Sequence, residues 1–173
     1  MNTKTLHSKV DLFKTGGEIS YKGDASVAKF LLGGLGTGNI SVGPRGELRD
    51  WEIFNWPGKG QFVPFSFFAI WTKEEGKEPV SRILESKICP PFYKSHGFLN
   101  GELAGIPRFE ESKMVGKQPF VYVDLKDSTV PVTVQMEAYT PFIPLNADDS
   151  GIPTAIIKYK VTKPYRSEER FSR

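Results

Sequence analysis

The sequence predicts an all-β protein whose strands form an antiparallel β-sandwich. Apolar and polar residues alternate with a period of two in several short stretches, which is typical of strands with one buried face. Glycine and proline, with 17 and 13 residues in a chain of 173, cluster between those stretches as turn formers. No window of about a dozen residues carries an apolar stripe at helical spacing.

The first predicted strands lie in the N-terminal half of the chain. Ile40 and Val42 are expected in a strand that follows a glycine-rich turn at residues 33–38. A second strand places large apolar side chains on one face: Phe65, Phe67, Ala69 and Trp71. Residues 80–88 come nearest to a helical spacing, but we give this short pattern little weight.

The strongest strand patterns lie in the C-terminal half. Residues 120–125 are rich in β-branched and aromatic residues. Strict alternation marks the next strand, with apolar residues at Val130, Val132, Val134, Met136 and Ala138. Pro131 can lie only near the start of this strand or at an edge, because it lacks a backbone N–H. Residues 155–161 repeat the pattern, and the Asn-Gly pair at residues 100–101 is the strongest hairpin-turn signal.

Composition and charge exclude several classes of protein. Lys and Arg number 23 against 20 Asp and Glu, and a net charge of +3 spread along the chain does not indicate binding of nucleic acid or an anionic membrane. Cys89 is the single cysteine, so no disulfide can form within the chain. With only two histidines besides, a zinc site is not expected, and we expect no cofactor.

The sequence also shows no stretch typical of a secretory signal or a membrane-spanning segment. Residues 1–17 mix charged side chains into every apolar stretch, so they do not form a secretory signal. The most apolar stretch, residues 62–71, is far shorter than the roughly 20 residues that cross a bilayer. The sequence therefore predicts a soluble, cytoplasmic protein without a membrane span.

The glycine cluster at residues 33–38 invites comparison with a phosphate-binding loop. A dinucleotide-binding loop needs a third glycine at fixed spacing, with a strand before it and a helix after it. Asn39 and Ser41 stand where that glycine would be, and a strand pattern follows. We therefore expect a tight turn or bulge at which two backbone segments approach closely.

A block of charged and aromatic residues at positions 45–58 carries most of the functional information. If it forms a strand, both faces carry charge, with Glu47, Arg49 and Trp51 on one and Leu48, Asp50 and Glu52 on the other. One alternative is a surface ladder of ion pairs, which stabilises little. The other is a polar interface with another domain or a sugar. Its tryptophans could stack on sugar rings, although lone tryptophans are more often core or rim residues.

The carboxylates offer no recognisable catalytic pair. Glycoside hydrolysis needs two carboxyl groups about 5 to 10 Å apart, one of them with a raised pKa. Glu110 and Glu111 are adjacent in sequence, as are Asp148 and Asp149, so each pair points to opposite sides of an extended chain. The residues alone therefore predict no catalytic, cofactor-binding or metal-binding side chain.

Two segments resemble a known family, and the first of them consists of two runs of residues. Residues 32–38 (Leu-Gly-Gly-Leu-Gly-Thr-Gly) and residues 45–55 (Arg-Gly-Glu-Leu-Arg-Asp-Trp-Glu-Ile-Phe-Asn) look like the start of glycoside hydrolase family 116. That family includes bacterial β-glucosidases and the non-lysosomal glucosylceramidase. Residues 137–153 are similar to a second family segment, in which a strand ends in Ser-Pro-Phe-Ile-Pro before an acidic loop. The resemblance extends over residues 28–161.

The resemblance implies a two-domain enzyme with an N-terminal β-sandwich and a C-terminal (α/α)6 helical domain. The helical domain hydrolyses β-glucosides with retention and holds both catalytic residues, a Glu nucleophile and an Asp acid/base, so none is assigned to this chain. Residues 1–27 are then expected to form a lead segment and residues 28–163 part of the family's β-sandwich. Residues 164–173 are expected to form an atypical polar tail. The expectation is an incomplete domain that is inactive alone.

Two functions remain open. As part of a family 116 β-glucosidase, the chain would support its partner, the catalytic domain, through a contact formed by Arg45, Glu47, Arg49, Asp50 and Trp51. As a stand-alone module, it would bind another protein or β-glucoside glycans, with stacking on Trp51, Trp56 and Trp71. Open strand edges and an open apolar face would favour self-association of the isolated chain.

Overall fold

The computed structural model describes Ser8, Val10, Phe13, residues 18–90 and residues 103–163. This part of the chain forms eleven strands and one short helix. In chain order they are β1 (Ser20–Lys22), β2 (Phe30–Leu32), β3 (Asn39–Val42), β4 (Leu48–Glu52), β5 (Ala69–Thr72), β6 (Val80–Ser86), β7 (Arg108–Phe109), β8 (Glu111–Lys117), β9 (Phe120–Lys126), β10 (Thr133–Tyr139), α1 (Ala147–Ser150) and β11 (Ile156–Thr162).

Five antiparallel strands form the largest sheet, in the order β1-β8-β9-β10-β11. Met136 of β10 lies opposite Val123 of β9 on one side and Tyr159 of β11 on the other. Val134, Met136 and Ala138 are all buried. Strand β10 therefore buries the face that its period-two alternation predicted.

Two three-stranded sheets, in the orders β2-β3-β4 and β5-β6-β7, contribute to the same core as the large sheet. Within the described residues their pairings are antiparallel except for the short contact between β6 and β7. Leu32 and Val42 from the first sheet and Leu84 and Phe109 from the second join one buried cluster with side chains of β8, β9 and β10. These packed antiparallel sheets confirm the predicted β-sandwich.

The predicted strands are confirmed at β3, β9, β10 and β11, with small shifts at their ends. The strand expected from Phe65 begins only at Ala69, because Phe65 has a φ of +59° and lies in a turn. The weak helical spacing at residues 80–88 falls on strand β6. The Asn-Gly pair at residues 100–101 and the tail at residues 164–173 lie outside the described residues.

Strand β4 breaks the two-face pattern expected of the charged block. Arg49 and Asp50 are neighbours, yet their exposed fractions are only 1% and 6%. Asp50 has a φ of +52°, and the pairing of β3 with β4 shifts register between Asn39 and Ser41. This irregularity turns two successive side chains into the interior. A surface ladder of ion pairs is therefore excluded for these residues.

Candidate functional site

The charged block meets partners from other parts of the chain in an ionic cluster, defined here as Lys29, Arg45, Glu47, Glu85 and Arg108. Lys29 Nζ donates to Glu47 Oε1 at 3.1 Å, and Arg45 Nε lies 3.8 Å from the same oxygen. Arg45 Nη1 and Arg108 Nε each lie 3.6 Å from Glu85 Oε2. The cluster therefore links the turn between β3 and β4 to strands β6 and β7.

The turn between β3 and β4 positions Arg45 and Glu47 of the cluster. Gly46 has a φ of +92°, and its N–H donates to the carbonyl oxygen of Gly43 at 3.0 Å. The N–H of Arg45 donates to Glu47 Oε2 at 2.9 Å. A Cβ at Gly43 would overlap the Glu47 carboxylate. The turn therefore needs glycine at both positions, once for backbone conformation and once for space.

The two glutamates of the cluster differ in their affinity for a proton. Burial by itself would raise the pKa of Glu47, but the adjacent Arg45 and Lys29 outweigh it and hold that pKa below its usual value. Around Glu85 burial prevails and, with the nearby charge of Glu47, raises the pKa despite Arg45 and Arg108. Glu47 is therefore a firmly ionised partner, whereas Glu85 takes up a proton more readily than an exposed glutamate.

A small cleft opens beside the cluster. It has a volume of about 50 Å³, and its walls include Arg49, Glu85, Arg108, Phe62 and Tyr159. The Arg49 guanidinium lies 5.7 Å from the centroid of the Phe62 ring, and burial raises the pKa of Tyr159 with a further contribution from Glu85. Sites for small molecules usually enclose about 300 to 1,000 Å³. This cleft is therefore too small to hold a sugar.

Asp50 anchors the loop that follows β4. Its Oδ1 accepts a hydrogen bond from the N–H of Gly60 at 2.6 Å, and its own N–H donates to the carbonyl oxygen of Gln61 at 2.8 Å. At the surface, Lys59 Nζ donates to Glu52 Oε2 at 2.7 Å. A buried carboxylate and an exposed ion pair thus fix the return of this loop toward β4.

The three tryptophans lie on separate elements in different settings. Trp51 is half-buried on β4, and its indole Nε1 is buried without a hydrogen-bond partner. Trp56, in the loop after β4, is 68% exposed, and Trp71, on β5, is 63% exposed. Trp56 and Trp71 are therefore accessible to a partner, whereas much of Trp51 belongs to the fold.

The two segments that carry the family resemblance meet at one end of the sandwich. The N–H of Gly33 donates to Oγ1 of Thr140 at 2.7 Å. A Cβ on Gly34 would overlap the carbonyl oxygen of Ile152. The glycine-rich turn is therefore a place of close backbone approach, which confirms the prediction made for it.

The adjacent carboxylates serve local structure. Asn146 caps α1 by accepting from the N–H of Asp149 at 3.1 Å, and its Nδ2 donates to Asp149 Oδ2 at 2.6 Å. Glu110 accepts from the N–H and the hydroxyl of Ser128 at 3.1 and 2.9 Å. Across the described residues, no group of three or more His, Cys, Asp or Glu side chains is arranged to hold a metal ion.

A comparison with models of protein families assigns the chain to a family. Residues 30–172 match the family described as beta-glucosidase 2, glycosyl-hydrolase family 116 N-term. The chain belongs to glycosyl hydrolase family 116. The match confirms the resemblance carried by residues 32–38, 45–55 and 137–153, and it includes residues 164–172. No curated protein matches the chain.

Several residues of this family 116 chain escaped the sequence analysis. Lys29, Glu85 and Arg108 complete the ionic cluster, but no short-range pattern marks them because their partners come from other strands. Ser150, the last residue of α1, is buried, although a serine beside aspartates and glycine usually indicates nothing beyond a turn. Four of the five residues expected at a domain contact lie in the interior of this chain: Arg45, Glu47, Arg49 and Asp50. The fifth, Trp51, is half-buried.

No helix in the described part of this family 116 chain has the length and apolar character needed to cross a membrane.

Proposed function

We propose that this chain is the N-terminal, non-catalytic part of a retaining β-glucosidase, in which it supports a separate helical catalytic domain. The match of residues 30–172 to the N-terminal part of family 116 carries this proposal. The chain would then take part in carbohydrate hydrolysis by holding its partner domain. A single cysteine suits a reducing compartment, so the proposal includes a cytoplasmic location.

The ionic cluster supports a structural role for the charged block. Glu47 lies within 4 Å of Lys29 and Arg45, and Glu85 lies at 3.6 Å from Arg45 and Arg108. A catalytic carboxyl pair in a glycosidase must instead face a site that admits the sugar. A carboxylate that Lys29 and Arg45 hold ionised, as they hold Glu47, is better suited to holding the chain together than to transferring protons to a substrate.

In this proposal the charged block supports the domain contact without forming its surface. Asp50 ties the loop after β4 at Gly60 and Gln61, and this loop carries the exposed side chain of Trp56. Under the proposal, buried charges fix the backbone, and the exposed loops touch the catalytic domain. Arg45, Glu47, Arg49 and Asp50 are then positioning residues, and Trp51 reaches the border of the contact.

Two measurements test the proposal. The purified chain is assayed with an aryl β-glucoside, and it is then mixed with a separately produced catalytic domain of a family 116 β-glucosidase. We expect no hydrolysis by the chain alone, together with slower thermal inactivation of the catalytic domain in the mixture. Glucoside hydrolysis by the chain itself, or unchanged inactivation in the mixture, would contradict the proposal.

A second candidate function is glycan binding, which the exposure of Trp56 and Trp71 favours. A stacked sugar changes the surroundings of the indole ring, so a titration with β-glucosides should alter the tryptophan fluorescence. Trp56→Ala and Trp71→Ala would each remove one ring on which a sugar could stack. Trp51→Phe would test whether the indole of Trp51 takes part in the binding. Unchanged fluorescence across a broad panel of glycans would remove this candidate.

A further inference from the structure

Exposed apolar side chains gather where the two family segments meet. We call this region the motif surface and define it by Leu35, Ile53, Phe142, Ile143, Leu145 and Ile152. Each of these six side chains is at least 39% exposed, and Leu145 is fully exposed. Single exposed apolar residues are ordinary, but a contiguous group of them marks a site of interaction.

Hydrogen bonds join the loops that carry these side chains. The N–H of Leu35 donates to the carbonyl oxygen of Ser150 at 2.8 Å. The hydroxyl of Ser150 accepts from the N–H of Ile143 at 2.9 Å and donates to the carbonyl oxygen of Ile143 at 3.0 Å. Ser150 itself is 2% exposed. One buried serine thus joins the glycine-rich turn to the loop between β10 and α1 by hydrogen bonds.

A groove of about 210 Å³ connects this pair of loops to the end of β4. Gly34, Gly38, Ile53 and Pro153 line it. A Cβ on Gly38 would overlap the carbonyl oxygen of Glu52, so the turn packs directly against the end of β4. The groove therefore joins Ile53 to Pro153, which follows Ile152 in the loop before β11.

The backbone of the motif surface is held in an unusual conformation. Leu145 has a φ of +64°, in the left-handed region that residues other than glycine, asparagine and aspartate rarely adopt. The next residue secures it, because the N–H of Asn146 donates to the carbonyl oxygen of Ile143 at 3.1 Å. An apolar side chain that is fully exposed and held against its backbone preference points to a function rather than to stability.

The charge around the motif surface indicates its occupant. Asp148 and Asp149 are exposed beside it, and no Lys or Arg occurs between Tyr139 and Ile157. A two-fold contact between copies of this chain would bring four carboxylates together at one small interface, which like charges disfavour. The surface instead suits a partner with an apolar face bordered by Lys or Arg.

We infer that the motif surface is where this chain docks on the helical catalytic domain of a family 116 β-glucosidase, through an apolar face of that domain bordered by basic residues. The inference rests on the proposed function and adds the surface and the chemistry of the contact. It also gives the strained leucine at position 145 a role, since that side chain is fully exposed.

The test measures binding of the full 173-residue chain to a separately produced family 116 catalytic domain by isothermal titration calorimetry. The variant Leu145→Asn/Ile152→Asn removes two apolar contacts, and asparagine is well tolerated at the left-handed position. Val161→Asn is the matched control, because Val161 is 50% exposed and Ile152 is 53% exposed. Val161 pairs with Val134 near the opposite end of β10. Circular dichroism verifies that each variant is folded.

We expect the double variant to bind at least about tenfold more weakly, because it loses apolar contacts at the centre of the interface. Val161→Asn should bind like the wild type. Equal binding by wild type and double variant would overturn the inference and leave the proposed function standing. Equal weakening by Val161→Asn would overturn it as well. Absence of binding by the wild type would overturn both. Sedimentation that shows a dimer abolished by the double variant would assign the surface to a second copy and overturn the inference.

Discussion

Gly33 donates its backbone N–H to the side-chain oxygen of Thr140 at 2.7 Å, across 107 residues of sequence. The same hydroxyl donates to the carbonyl oxygen of Thr154 at 3.4 Å. One side chain thus joins the glycine-rich turn after β2, the end of β10 and the approach to β11. This bridge is one physical connection between the two segments by which the chain resembles its family.

Replacing Thr140 tests the strength of this bridge. Thr140→Val keeps the shape of the side chain but leaves the partly buried N–H of Gly33 without its acceptor. We expect a loss of about 1 to 3 kcal/mol in the free energy of unfolding. Urea unfolding followed by tryptophan fluorescence measures it.

Thr133→Val is the control for this substitution. The hydroxyl of Thr133 donates to the carbonyl oxygen of Thr162 at 3.4 Å, in an exposed position at the other end of β10. Its replacement should change the free energy of unfolding by less than about 0.5 kcal/mol. Equal effects of the two substitutions would show that the bridge does not hold the motif segments together.

Two glycines of the same turn should respond differently to alanine. A Cβ at Gly34 would overlap the carbonyl oxygen of Ile152, whereas a Cβ at Gly36 would meet no atom within 4 Å. Gly36→Ala therefore adds only the strain of a φ of +74°, about 1 to 2 kcal/mol. Gly34→Ala should cost more, because the turn and the loop before β11 must move apart. Thermal unfolding of both variants measures the order, and a larger loss for Gly36→Ala would contradict the observed packing.

Removal of the Glu47 charge should strongly destabilise the fold. Glu47→Gln leaves Lys29 and Arg45 in the interior without their carboxylate, for which we expect a loss of about 3 to 5 kcal/mol near neutral pH. The folded pKa of Glu47 lies below the ordinary value of 4.5. Its charge therefore stabilises the fold above pH 4.5, and this contribution is lost as the pH falls through the folded pKa. Urea unfolding over a pH series should show the variant approaching the wild type in acid.

The exposed ion pair of Glu137 and Lys158 serves as a control for Glu47. Their nearest charged atoms lie 3.4 Å apart on neighbouring strands. Because water screens this pair, Glu137→Gln should change the free energy of unfolding by less than about 1 kcal/mol at any pH. A loss comparable to that of Glu47→Gln would mean that burial does not set the strength of these interactions.

Glu85 should behave in the opposite way to Glu47. Its pKa is raised above 4.5, so the folded chain binds the proton more strongly than the unfolded chain does. The stabilising contribution of this proton is present below pH 4.5 and is lost as the pH rises through the folded pKa. Glutamine resembles the protonated side chain, and Glu85→Gln should leave the stability near neutral pH unchanged or higher.

The pH dependence of unfolding decides this prediction. In the wild type, ionisation of Glu85 lowers the free energy of unfolding between pH 4.5 and its folded pKa, and Glu85→Gln should remove that slope. A loss near neutral pH as large as that of Glu47→Gln would show that Glu85 is held as a charged partner of Arg45 and Arg108.

Much of the sandwich could be predicted from local pattern. The alternation of Val134, Met136 and Ala138 identifies the buried face of β10, because side chains of a strand alternate between its two sides. The same rule failed at β4, where Asp50 has a positive φ and both Arg49 and Asp50 turn inward. No local pattern announces such an irregularity, since it arises where the pairing with β3 shifts register.

The candidate sites were less predictable than the fold. The charged block drew attention to Arg45 and Glu47, but their partners Lys29, Glu85 and Arg108 come from other parts of the chain. Likewise, sequence separates Gly33 from Thr140 and gives no sign that a hydrogen bond joins them. Ion pairs and hydrogen bonds depend on distances of a few ångströms, which only the packing of strands establishes.

The sequence by itself determined the class of the fold, the positions of several strands and the family to which the chain belongs. These features depend on periodicity, on turn-forming residues and on short motifs, all of which are local along the chain. Tertiary structure alone decided that Arg45, Glu47, Arg49 and Asp50 are internal and that two distant motifs form one end of the sandwich. Burial and contact are properties of the assembled strands, because the residues that remove a side chain from water come mostly from elsewhere in the chain.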